Sequence, residues 1–191
     1  MTRSETTRGV RRACAVFAGA IVLASSIACD APDAEIPPDT SERARAALGP
    51  FQSQLLGALT SALAESGPEG AIGACRTAAP ELARAAGGEG ISIGRTSRKL
   101  RNPANAPEPW MEPLLDAYAA GTTREPQVVR IDAKHVGYVE PIFVKPLCLT
   151  CHGDGVDDSI RARLAAEYPN DRATGYVVDD LRGIFWVKLT S

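Results

Sequence analysis

The segment Cys148-Leu149-Thr150-Cys151-His152 constrains this chain more than any other part of it. Two thiols at this spacing can each add to one of the two vinyl groups of a haem, and the histidine that follows is then placed beneath the iron. Gly153 and Gly155 let the chain turn away below the ring. The motif therefore predicts a covalently bound haem c, attached through Cys148 and Cys151, with His152 as an axial ligand.

Histidine content limits how many such sites the chain can hold. Its 191 residues include two histidines, His135 and His152, and each c-type haem uses its own Cys-x-x-Cys-His motif. We therefore expect one haem.

A Cys-x-x-Cys pair has two other common uses, in zinc sites and in redox pairs. A zinc site built from Cys75, His135, Cys148 and Cys151 would lack the second Cys-x-x-Cys pair that such sites usually have. A thioredoxin-like redox pair opens a helix after a strand, and the sequence predicts no such helix here.

The first 40 residues have the pattern of an export signal followed by a tether, and we do not expect them to belong to the folded domain. Four arginines precede the apolar run 13–23, and small residues lead to Cys29, as in a secretory signal. Signal peptidase I would cleave after Ala28, whereas a lipoprotein peptidase would leave Cys29 as a lipidated first residue. We expect a signal peptide over 1–28, a proline-rich tether over 29–40 and a haem domain over 41–191. The domain is expected in the periplasm, anchored to the membrane where Cys29 is lipidated.

Charge and cysteine usage narrow the possibilities further. The net charge is −2 and no basic tract is present, which argues against nucleic acid as a partner. Of the five cysteines, Cys14 lies in the signal and Cys29 at its end, so Cys75 is left as an unpaired thiol in an oxidising compartment.

Hydrophobic periodicity predicts long helices first and a small antiparallel sheet later. Helices are expected at about 41–65, 68–86, 110–121 and 159–168, and strands at about 91–93, 128–131, 136–144 and 184–189. This order indicates an α+β fold.

The sequence contains more than one candidate for the second axial ligand of the iron, and residue types alone do not choose between them. His135 carries an imidazole, but its position between strands is more simply that of a polar turn residue. Met111, beside Trp110 on a predicted helix, is more simply a residue of the hydrophobic core. Cys75 lies on the apolar face of the second predicted helix, where it is either a ligand or a small buried hydrophobe. Coordination open to a gas or peroxide is the remaining possibility.

Several segments resemble a family of single-haem c-type domains that was long catalogued as a domain of unknown function. They are Ala-Ile-Gly-Ala-Cys-Arg at 71–76, Gly-Arg-Thr-Ser at 94–97, Leu-Arg-Asn-Pro at 100–103, Ala-Thr-Gly-Tyr at 173–176 and Leu-Arg-Gly at 181–183. The family has a fold similar to PAS sensor domains, and it includes a cyanobacterial monohaem cytochrome and extracytoplasmic input modules of signalling proteins. The resemblance implies a PAS-like fold, with a small antiparallel sheet and long N-terminal helices packed on it. It also implies that Cys75 is a thiolate ligand opposite His152.

The loop after residue 94 suggests further cofactor contacts. Arg95 and Arg101 lie close to Asn102, and a guanidinium binds a carboxylate such as a haem propionate in bidentate fashion. A solvated loop is the alternative.

Three functions remain: a redox or gas sensor that changes ligand at the iron, an electron carrier with an unidentified redox partner, and an enzyme such as a peroxidase. Because His135 is the only spare imidazole for acid–base work, the enzyme is the least favoured. A thiolate ligand that can leave on reduction suits a sensor, with a diatomic gas as a possible ligand of the reduced iron.

Overall fold

The computed structural model describes residues 35–191, and the first helix in this part of the chain is the long segment α1 (Thr40–Ala86). Gly67 interrupts α1 with φ 65° and ψ −174°, a backbone conformation that essentially only glycine adopts, so two helices meet there. Pro68 begins the second helix, because a proline at the first helical position loses no intrahelical hydrogen bond. The sequence prediction of two helices separated near Gly67 is confirmed.

Four antiparallel strands form one sheet in the order β1-β4-β3-β2. Their bounds are β1 (Ile91–Thr96), β2 (Gln127–Arg130), β3 (His135–Phe143) and β4 (Leu181–Thr190). The C-terminal strand thus lies in the middle of the sheet. All four predicted strands are present, although β1 and β4 are longer than predicted.

Both faces of the sheet are covered. Alternate residues of a strand point to opposite faces. Tyr138 and Val187 pack with Leu48 and Phe51 of α1. The neighbouring Val139 packs on the other face with Leu115 of α2 (Glu112–Ala119).

Two glycines make room on the α2 face. A Cβ atom at Gly94 would lie 2.5 Å from the ring of Trp186, and one at Gly137 would lie 2.5 Å from the ring of Trp110. Both indoles can therefore lie flat against the strands. Met111, in the cluster beside Trp110, is 1% exposed and belongs to this core.

Two further helices lie between β3 and β4 in the sequence. The cysteine motif runs from a 3₁₀ turn that ends at Cys148 into α3 (Leu149–His152). Helix α4 (Asp158–Glu167) packs against the second half of α1 through Ile72, Ile160 and Leu164. The molecule is therefore an α+β protein of PAS-like form, as predicted. Among residues 35–191, no helix has both the length and the apolar character to cross a bilayer. The predicted signal peptide, and most of the tether with Cys29, lie outside the described residues.

Candidate cofactor-binding site

A cavity of about 470 Å³ lies between α1, the sheet and the cysteine motif. Cys75 from α1 lines it together with Cys148, Cys151 and His152. Ile93 of β1 contributes to its apolar wall. The volume falls in the range of small-molecule and cofactor sites, roughly 300–1,000 Å³. Cys75 lies 73 positions before Cys148 in the sequence, yet it meets the three residues of the cysteine motif at one cavity.

The motif is held by main-chain hydrogen bonds to the segment that precedes β4. The amide of Tyr176 donates to the carbonyl oxygen of His152 (3.0 Å), and that of Gly175 donates to Gly153 (2.9 Å). A Cβ atom at Gly153 would lie 2.7 Å from the carbonyl oxygen of Leu149, so glycine is needed where the chain leaves α3. The expectation that the motif opens no helix was wrong in detail, because α3 is a helix of one turn.

His152 has a defined tautomer. Its Nδ1 lies 2.6 Å from the carbonyl oxygen of Ala173, and because a carbonyl only accepts, Nδ1 must carry the proton. Nε2 then keeps its lone pair, as a metal ligand requires. Burial, together with the nearby Arg182 and Arg101, lowers the pKa of His152 to about 3. The imidazole is therefore neutral at pH 7.

Cys75 is a free, half-buried thiol at the same cavity. Burial raises its pKa, while Arg95 and Arg101 act in the opposite direction by favouring the thiolate. Cys148 and Cys151 are also free and half-buried. All three thiols remain available for ligation or covalent attachment.

The cavity has a strong positive bias. The described residues that line it include no carboxylate and five cationic side chains, which are Arg76, Arg95, Arg101, Lys145 and Arg182. Arg95 projects from β1 on the same face as Ile93, and within residues 35–191 it makes no hydrogen bond or ion pair. Burial lowers the pKa of Arg95, which shows that its charge is incompletely solvated. Such a cavity favours an anionic ligand.

The Tll0287-like family model matches residues 15–190 of the chain. The chain belongs to the Tll0287-like family. Its structure is also similar to the crystal structure of the cyanobacterial heme-protein Tll0287, with a TM-score of 0.61 and 24% sequence identity. The similarity covers 82% of this chain and 98% of that one, and it establishes the fold. No curated protein sequence matches.

Arg182 is a cavity residue of this Tll0287-like chain that sequence reasoning did not select. Its Nη1 donates to the hydroxyl of Ser97 (2.8 Å) and, at 3.3 Å, to the carbonyl oxygen of Lys99. Its guanidinium also stacks over the ring of Tyr176. The one available signal was its place in the conspicuous Leu-Arg-Gly segment at 181–183.

Arg101 and Asn102 have protein partners. Arg101 Nε lies 3.1 Å from Asp171 Oδ2, in an ion pair whose side chains are 14% and 10% exposed. The side chain of Asn102 accepts a hydrogen bond from the amide of Ala104 (3.0 Å) and caps a 3₁₀ turn over Pro103–Asn105. Both residues line the cavity, and each already supports local structure.

His135 does not line the cavity of this Tll0287-like chain. It lies at the start of β3, where Nδ1 is 2.9 Å from both carboxylate oxygens of Asp132. In the described part of the chain, no group of three or more His, Cys, Asp or Glu side chains is placed to hold a metal ion. His135 lies away from the cavity that Cys75, Cys148 and Cys151 line, so the four candidate zinc ligands do not form one site.

Proposed function

We propose that this chain is an exported haem protein with one covalently attached haem c, which acts as a redox or gas sensor through a ligand change at the iron. One observation carries the proposal. The cysteine motif shares a cation-rich cavity with the only other thiol among residues 35–191, Cys75.

Covalent attachment uses the two motif thiols. Each S–H group of Cys148 and Cys151 adds across one vinyl double bond, so that no atoms are lost and two thioethers form. His152 then ligates the iron through Nε2, because Nδ1–H is bonded to Ala173. The haem supplies a one-electron redox centre whose iron can bind small molecules when a coordination position is open.

Cys75 is the proposed second axial ligand. As a thiolate it is held by ferric iron, since metal charge favours an anionic sulfur. Reduction removes one positive charge, weakens that preference and lets Cys75 leave. A ligand that departs on reduction adds structural rearrangement to each electron transfer, which fits a sensor better than a fast electron carrier.

Arg95 is the proposed partner of a haem propionate. It lines the cavity, is incompletely solvated and has no protein counterion in the described residues, so a carboxylate from a ligand would supply the missing charge. Arg182 contributes a second positive charge to the same cavity.

The first test is the mass of the protein expressed with haem maturation factors. We expect one added haem that survives acid–organic extraction. The double variant Cys148→Ala/Cys151→Ala should lose it, whereas Cys75→Ala should keep it. Covalent haem in the double variant would refute the attachment.

Export through a lipid anchor is proposed from the N-terminal sequence. If Cys29 becomes the lipidated first residue, the wild type fractionates with membranes and the Cys29→Ser variant does not. Detergent partitioning and the mass of the N-terminal peptide measure this. A soluble periplasmic wild type with residue 29 unmodified would indicate simple cleavage.

A further inference from the structure

We propose that the Arg101–Asp171 ion pair is a positioning device for the proximal ligand, which fixes the hydrogen bond from His152 to Ala173. The inference rests on the proposed function, in which His152 binds the iron. It concerns how strongly that imidazole donates electron density.

Arg101 connects the two segments between which the His152 hydrogen bond forms. Its Nη2 donates to the carbonyl oxygen of Cys151 (2.5 Å), the residue before His152. The same nitrogen lies 3.5 Å from the carbonyl oxygen of Ala173, which accepts the bond from His152. The guanidinium therefore sets the distance between the motif and the acceptor.

Asp171 holds the acceptor residue, Ala173, through that residue's own amide. Oδ1 accepts a hydrogen bond from the amide of Ala173 (2.8 Å), while Oδ2 lies 3.1 Å from Arg101 Nε. Ala173 is 0% exposed, so its amide and carbonyl groups depend on these protein partners. A closed ring of hydrogen bonds thus runs from Cys151 through Arg101, Asp171 and Ala173 to His152.

This geometry has a chemical consequence. A ligating histidine that donates its second N–H to a well-placed acceptor becomes a stronger electron donor. A short bond to Ala173 therefore favours ferric iron. When the carbonyl is free to shift, the bond lengthens, imidazole donation falls and the reduction potential rises.

Charge-conserving variants separate positioning from plain electrostatics. Arg101→Lys keeps the charge but replaces a planar fork by one nitrogen, which cannot reach both Asp171 and Cys151 in the same geometry. Asp171→Glu keeps the charge on a longer side chain. Arg98→Lys is the matched control, since Arg98 lies in the same loop and pairs at the surface with Asp116.

The midpoint potential and the iron–imidazole stretching band are measured on haem-loaded protein. We expect Arg101→Lys and Asp171→Glu to raise the potential and lower the stretching frequency, and Arg98→Lys to change neither. If only the charges of the ion pair mattered, both variants would keep the wild-type midpoint potential and stretching frequency. That result would overturn the inference.

Covalent haem content is determined first for each protein. A wild type without haem refutes the proposed function, whereas haem-loaded variants with unchanged readouts refute only the positioning role. If one charge-conserving variant does not fold, the other decides the test, because each disturbs the same ion pair without changing the net charge. A potential below that of the wild type in Arg101→Lys would also contradict the proposal.

Discussion

At the scale of single residues, the sensor proposal depends on Cys75. Its thiol is half-buried at the cavity wall, where burial disfavours the thiolate and Arg95 and Arg101 favour it. If Cys75 binds the iron as proposed, the charge of the metal would supply the further stabilisation that the thiolate needs. The haem-bound state of Cys75 should therefore follow the charge of the iron.

A Cys75→Ser variant is expected to keep its covalent haem, lose the ferric thiolate spectrum and rise in reduction potential, because a neutral hydroxyl stabilises ferric iron less than a thiolate does. Absorption spectroscopy, electron paramagnetic resonance and redox titration measure these changes. In the wild type, carbon monoxide should bind to the reduced protein and not to the oxidised one.

His135→Ala is the matched control, since that imidazole is bound to Asp132 and does not line the cavity. It should leave the spectrum and the potential unchanged. If His135→Ala abolished the low-spin ferric spectrum and Cys75→Ser preserved it, the iron would be bis-histidine ligated. An electron carrier would then explain the protein better than a sensor.

At the scale of secondary structure, the break in α1 joins two helices that both pack on the sheet and both line the cavity. Before Gly67, Leu48 and Phe51 pack into the core. After it, the helix carries Cys75 to the cavity and packs against α4. The break allows one long helical segment to serve both the sheet and the site.

Replacing Gly67 by alanine should lower the free energy of unfolding by about 1–3 kcal/mol, the usual strain of a non-glycine residue at such backbone angles. Space is not the cause, because the nearest atom to an added Cβ is Glu69 Oε2 at 3.8 Å. Urea denaturation followed by circular dichroism measures the loss.

Gly57→Ala is the control for this substitution. Gly57 lies inside the first half of α1 with nothing within 4 Å of an added Cβ atom. Alanine there should stabilise the protein by about 0.5–1 kcal/mol. Equal stability of Gly67→Ala and the wild type would show that the chain does not need the positive φ at residue 67.

At the scale of the whole molecule, a polar network ties α1 to the sheet. Tyr138, which is 0% exposed, donates to Glu140 Oε1 (2.6 Å) and accepts a hydrogen bond from Arg45 Nε (3.0 Å). Gln52 donates to the other oxygen of Glu140 (2.8 Å). On the opposite face, the hydroxyl of buried Tyr118 donates to the carbonyl oxygen of Glu125.

These buried phenols predict alkaline unfolding. Burial raises the pKa of Tyr138 and of Tyr118 to about 12, with Glu140 contributing at Tyr138. The pKa in the unfolded chain is about 10, so the folded state holds the protons more tightly. This contribution to stability is complete below pH 10 and is lost as the pH rises towards 12.

Urea unfolding at several values between pH 9 and pH 12 tests this dependence. Tyr138→Phe should be less stable at pH 7 by about 1 kcal/mol, the usual net worth of a hydrogen bond, and should show a shallower decline above pH 10. An identical slope in the variant would mean that Tyr138 does not contribute to the alkaline transition.

The sequence by itself determined the features that depend on neighbours in the chain. Cys148, Cys151 and His152 could be interpreted directly, because attachment chemistry fixes their spacing within five residues. Helices and strands followed from hydrophobic periodicity, and the break near Gly67 followed from Gly67-Pro68. Even so, Leu56, an apolar residue of the first predicted helix (41–65), is 57% exposed beside the cavity. Periodicity predicts an apolar face without showing what covers it.

Only the tertiary structure decided which distant residues meet at the site. Arg101 pairs with Asp171, which lies 70 positions away in the sequence, and His152 donates a hydrogen bond to Ala173, which lies 21 positions away. Arg182 reaches the cavity because β4 lies between β1 and β3 in the sheet. Such contacts depend on strand order and on the paths of loops, which bring together residues whose spacing along the chain carries no pattern.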